Sequence, residues 1–243
     1  MIFQPRLKNL KGSGTGFFIS ADGYFIATYH GFEQCMKNPL INEYYGMEGI
    51  ECTEYEGVYS GEAYRLFLIA HPAPKTSTKG NEHINNKILE TNFILGRLEL
   101  KDNLVPFFSL YLPTPELVGD NNSIAKVNRI VNPETKETVE LNRLSEQSMP
   151  IIYVSGFRAD NVQLDVRTLL TAFDTQRYSY LIDITRTPIS FGMSGGSPVV
   201  DLNDNLLGMF ISAGQREGVV ISKQRIIDRL SEIHPEVKSI LLK

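Results

Sequence analysis

Phe191-Gly192-Met193-Ser194-Gly195-Gly196-Ser197-Pro198-Val199-Val200 sets one serine among glycines directly before a short apolar run. Glycine tolerates positive φ and close backbone approach. Gly192, Gly195 and Gly196 therefore let a tight loop present the Ser194 hydroxyl and aim several backbone N–H groups into the same small space. An acyl-transfer site needs those parts: a nucleophile, a base to take its proton, and donors for the oxyanion that develops on the attacked carbonyl. A Gly-rich surface turn fits the same ten residues, so the reading depends on what the rest of the chain supplies.

Outward from this loop the grammar is that of short strands. Residues 151–155, 162–172 and 178–184 precede it, and 197–200, 206–212 and 218–221 follow, with a turn at Asn203, Asp204 and Asn205. Ile226, Ile227, Leu230 and Ile233 then recur at helical spacing, which predicts one amphipathic helix packed on the domain and halted before Pro235. In the first half, residues 17–19 and 24–27 flank Asp22-Gly23 and predict a β-hairpin. The second strand of that hairpin runs into Thr28, Tyr29 and His30, placing an imidazole at a strand end. Further strands are predicted at 64–70 and 92–100. The stretch 112–150 carries Pro113, Pro115, Pro133 and Pro150 and reads as a linker, with short strands at 126–131 and 138–141.

Composition narrows the function classes. The 243 residues are 42% hydrophobic, ordinary for a globular chain, and the formal net charge is −4 with no block of Lys and Arg. Nucleic acid and anionic membrane are therefore not expected partners. The first residues lack the apolar run of a signal peptide and no segment approaches membrane-spanning length, so a cytoplasmic location is expected. Cys35 and Cys52 make no disulfide framework and are expected as free thiols. His71 and His83 have no companion at metal-ligand spacing, and no metal or other cofactor is expected. The glycines at 12–16 lack the Gly-Lys-Ser/Thr ending of a phosphate-binding loop.

Three stretches together, GSGTGFFISADGYFIATYHGF, NFILGRLEL and SYLIDITRTPISFGMSGGSPVVDLNDNLLGMFISAG, resemble the trypsin-like (chymotrypsin-fold) serine peptidases, most closely the HtrA-type bacterial branch. Their order carries the resemblance: a glycine-led hairpin delivering histidine, a strand with a polar head, then a G-x-S-G-G loop. It spans roughly residues 12–230. It implies an all-β chain of two packed six-stranded antiparallel β-barrels with a C-terminal α-helix. The N-terminal barrel would occupy 1–112, an inter-barrel linker 113–149, and the C-terminal barrel with its closing helix 150–243.

The resemblance further implies His30 as general base, Ser194 as nucleophile, and the N–H groups of Gly192 and Ser194 as the oxyanion hole. Ser212, Ala213 and Gly214 would pair with the substrate backbone by β-augmentation. Pro188, Ile189 and Ser190 would line the base of the primary pocket, and Gly214 and Gly218 its walls. With no carboxylate among them, a basic substrate residue would be left unpaired, so small or medium aliphatic side chains are expected.

The third triad position departs from the family. Asn92 stands where aspartate heads the strand. An asparagine carbonyl can orient the far ring N–H but carries no charge for the imidazolium, and in the serine-peptidase template that replacement lowers turnover about 10⁴-fold. Three readings stay open. Glu90 or Asp102 is the true orienter; the chain is a serine endopeptidase that works slowly or on activation by a protein partner; or it is an impaired module that binds peptides or a protein without cutting them.

Overall fold

The computed structural model describes residues 1–8, 14–32, 35, 49–71, 92–101, 104–111, 123–131, 138–158, 160–185, 187–191 and 193–242. Strands account for 51% of the described residues. They form two antiparallel sheets.

The N-terminal sheet contains β1 (Ile2–Leu7), β2 (Gly16–Phe18), β3 (Tyr24–Ala27), β4 (Ile50–Glu51), β5 (Tyr55–Tyr59), β6 (Glu62–Tyr64), β7 (Leu66–Ala70) and β8 (Ile94–Leu98). Their spatial order is β4-β7-β8-β3-β2-β1-β5-β6, a sheet that curls into a half-barrel. The predicted hairpin is β2–β3, paired from Gly16↔Ala27 to Phe18↔Phe25. Gly23 at its turn has φ 91°, and a Cβ there would come within 2.8 Å of the Leu98 carbonyl, so glycine is required.

The C-terminal sheet contains β9 (Ile124–Val131), β10 (Thr138–Leu144), β11 (Ile151–Phe157), β12 (Gln163–Asp174), β13 (Ser179–Asp183), β14 (Pro198–Val200), β15 (Leu206–Ala213) and β16 (Glu217–Ser222). The order β11-β14-β15-β16-β13-β12 returns to β11 through the β11–β12 pairing, closing a six-stranded barrel. The β9–β10 hairpin, from the stretch read as linker, attaches to this sheet through β12. Helix α1 (Lys223–Ile233) starts at Ser222, whose Oγ accepts from Arg225 N–H as an N-cap, and the short helix α2 (Lys238–Leu241) follows.

Side chains on a strand alternate between faces. Here consecutive residues are buried on both. Phe18, Phe25, Leu68 and Ile94 point into the N-terminal sheet's own core, while their neighbours Phe17, Ile26, Ile69 and Leu95 point outward into a second one. That second core also holds Val200, Met209, Ile211 and Ile221 of the closed barrel, and Ile226, Ile227 and Leu230 of α1. A third core, with Val154, Leu170, Ile182 and Val220, fills the closed barrel. This sharing explains why the strands read as unbroken apolar runs instead of alternating ones.

Cys35 and Cys52, expected as free thiols, are joined as a disulfide, with Cα atoms 5.5 Å apart. Both lie buried in the N-terminal core, a proximity that a separation of 17 positions does not reveal. Among the described residues no helix is long and apolar enough to cross a membrane.

Candidate active site

Ser194 lies on the loop between the short 3-10 helix Pro188–Phe191 and β14. Two backbone bonds tie the far side of that loop to β15: Gly196 N–H to Phe210 O at 2.8 Å, and Phe210 N–H to Ser197 O at 2.8 Å. Ser197 Oγ, fully buried, donates to Ser194 O at 2.9 Å and closes the turn. Gly196 has φ 96°, and a Cβ added there would lie 1.9 Å from Thr15 O and 3.3 Å from Thr28 N. The serine loop thus presses its backbone against the N-terminal sheet, at the strand end that continues into the 3-10 helix Tyr29–Phe32. That helix carries His30 two positions after Thr28.

The Ser194 side chain makes two contacts, one within its own sheet and one across to the other. Its hydroxyl donates to Phe157 O at 2.7 Å and lies 2.6 Å from Thr15 Oγ1. Its backbone N–H also donates to Phe157 O, at 2.9 Å. In this arrangement the Ser194 N–H is engaged inside the protein, in contrast to the free oxyanion donor expected of it. Neither Thr15 nor Phe157 is marked in the sequence as a site residue. Thr15 is 179 positions from Ser194, and the Phe157 contribution is a backbone carbonyl, which any residue type provides.

The other expected residues are placed as follows. Asn92 is buried at 6% exposure, two residues before β8, and it has a bonding partner. The side chains of His30 and Ser190, together with Gly192, His83, Glu90 and Asp102, lie outside the described residues. Pro188 is exposed, whereas Ile189 turns into the closed barrel's core at 1% exposure and packs with Met193. Ser212, Ala213 and Gly214 are exposed at the end of β15. Their β16 side is paired, through Ser212↔Val219 and Ala213↔Gly218, and their β14 side has no pairing strand among the described residues. Gly218 is buried, and a Cβ there would come within 2.7 Å of the Phe210 ring.

The one cluster of potential metal ligands among the described residues is Cys35, Cys52 and Glu54, within 4.8 Å of one another. With its two sulfurs bonded together it has no thiolate to offer. A cavity of about 400 Å³ opens elsewhere, between β10, the 174–178 turn and α1, and none of the expected catalytic residues lines it.

The sequence matches no protein-family model and no curated protein sequence. The structure does resemble solved ones. The MamO protease domain from Magnetospirillum magneticum superposes with a TM-score of 0.51 at 14% identity, covering 94% of this chain and 95% of that one. An inactive form of Rv3671c from M. tuberculosis gives 0.51 at 14% identity, over 96% of this chain and 86% of that one. Deg5 gives 0.51 at 9% identity, over 93% and 85%. The chain has the fold of the trypsin-like serine proteases. Within this fold the Ser194 loop meets the N-terminal sheet at Thr15 and at Thr28, one residue before the Tyr29–Phe32 helix.

Proposed function

We propose that this protein is a serine endopeptidase acting through an acyl-enzyme. The observation that carries the reading is the seating of the Ser194 loop against Thr15 and Thr28, which brings the serine's backbone to the chain segment that bears His30. In the proposed reaction His30 accepts the Ser194 hydroxyl proton as Oγ attacks the scissile carbonyl carbon. Backbone N–H groups of Gly192 and Ser194 hold the resulting oxyanion. Collapse breaks the peptide C–N bond, the amine leaves with the proton from His30, and water then hydrolyses the ester by the same steps in reverse roles. A peptide substrate pairs with the backbone of Ser212, Ala213 and Gly214, whose β14 side has no pairing strand among the described residues.

The test is labelling by a fluorophosphonate probe, which reports an activated serine. Wild-type protein is expected to be labelled at Ser194, and Ser194→Ala to lose both labelling and peptide cleavage. Wild type that never reacts, with or without added protein partners, overturns the reading.

A second reading, a peptide- or partner-binding module on the same fold, is favoured by one observation. Asn92 is buried where a charged orienter is expected, and a neutral amide does not stabilise an imidazolium. On this reading Ser194→Ala leaves peptide binding intact and no cleavage is seen in either form.

A further inference from the structure

Four groups around Ser194 form a closed ring of hydrogen bonds. Phe157 N–H donates to Thr15 Oγ1 at 2.9 Å, Thr15 Oγ1 stands 2.6 Å from Ser194 Oγ, and Ser194 Oγ donates to Phe157 O at 2.7 Å. A hydroxyl has one hydrogen to give, so the Ser194 hydrogen on Phe157 O fixes the remaining direction: Thr15 donates to Ser194. The Ser194 N–H bond to the same carbonyl, 2.9 Å, completes the ring. Both atoms of Ser194 that acyl transfer requires, the hydroxyl hydrogen and the backbone N–H, are thereby given to one peptide group.

That peptide group sits at the tip of the β11–β12 hairpin, which is fastened in two further places. Arg158 bridges Met193, the residue before the serine. Gln4 of β1 donates through Nε2 to Asn161 Oδ1 at 2.7 Å, tying the tip to the opposite sheet. Thr15 itself is fully buried, and its N–H donates to Gly195 O at 3.4 Å. The ring is thus built from both sheets and from the loop they enclose.

We infer that Thr15 and the Phe157 backbone form a latch that holds Ser194 in a resting arrangement, with Thr15 as its positioning residue. Chemistry at Ser194 requires the latch to open, because the oxygen of an attacked carbonyl must displace Phe157 O from the Ser194 N–H. The consequence for catalysis rests on the peptidase reading above, whereas the latch itself is measurable without any catalysis.

The experiment follows amide hydrogen exchange at Ser194 and Phe157 by NMR in the full chain, alongside fluorophosphonate labelling, for wild type, Thr15→Ser and Thr15→Val. Both amides are expected to be protected in wild type and in Thr15→Ser, which keeps the hydroxyl. In Thr15→Val, Ser194 protection is expected to fall and labelling to accelerate, each about five- to tenfold, the size of one ordinary hydrogen bond. A Ser194 amide that exchanges at the free-loop rate in wild type overturns the latch. So does a folded Thr15→Val protein with a freed Ser194 amide that is labelled no faster than a wild type which the probe does label. Should Thr15→Val fail to fold, exchange in wild type and Thr15→Ser still decides whether the ring exists. Protected amides in a chain that no probe labels uphold the ring and count against the peptidase reading instead.

Discussion

Thr15 Oγ1 and Ser194 Oγ lie 2.6 Å apart although 179 positions separate them. Thr15 immediately precedes β2 of the half-barrel, and Ser194 lies four positions before Pro198, where β14 of the closed barrel begins. The contact therefore fixes the serine with respect to both sheets, and through Thr28 with respect to the segment bearing His30.

If Asn92 is the residue that orients His30, Asn92→Asp supplies the missing charge. Peptide hydrolysis or probe labelling is expected to rise by orders of magnitude, toward the about 10⁴-fold that the reverse replacement removes in the serine-peptidase template. Steady-state kinetics on the variant reads this directly. An unchanged rate moves the third position to Glu90 or Asp102.

Gly196→Ala tests the seating of the serine loop. Its φ of 96° and the 1.9 Å approach of a Cβ to Thr15 O leave no room for a side chain. Overpacking of this kind destabilises by roughly 1–3 kcal/mol, and Ser194 labelling is expected to disappear with it. Gly214→Ala is the contrast, since Gly214 is exposed and the nearest atom to its Cβ, Glu217 O, is at 3.2 Å. Thermal melts should separate the two variants.

Leu230→Ala removes a fully buried side chain of α1 from the core that both sheets share. A loss of about 2–5 kcal/mol is expected, as for other large-to-small core changes. Because that core joins the two sheets, a urea titration should show both losing structure at a lower midpoint.

The Arg143–Glu217 pair predicts an acid-sensitive contribution. Arg143 donates to both Glu217 oxygens, at 2.5 and 2.9 Å, and Thr171 Oγ1 adds a third bond at 2.8 Å. The Arg143 hydrogen bonds hold the Glu217 carboxyl below its ordinary value of 4.5. A depressed folded value means that the stabilisation is complete above the unfolded value and is lost as pH falls through the folded one. Both partners are partly solvent-exposed, so screening trims the contribution to roughly 0.5–1 kcal/mol. Glu217→Gln should melt lower than wild type near neutral pH, and the gap should close as the pH is taken below 4.5.

The amino-acid sequence alone determined the all-β class, the hairpin at Asp22-Gly23, the closing helix and the serine loop. Each of these rests on local chemistry: glycine where φ is positive at Gly23 and Gly196, and apolar residues at helical spacing from Ile226 to Leu230. Tertiary structure alone decided the rest. The Cys35–Cys52 bond, the inward turn of Ile189, the shared core between the sheets, and the engagement of Ser194 by Thr15 and Phe157 are contacts between distant segments. No propensity encodes them. They arise when two curled sheets dock and their free loops meet, and the Phe157 contact is made by a backbone carbonyl, an atom on which the identity of the side chain leaves no mark.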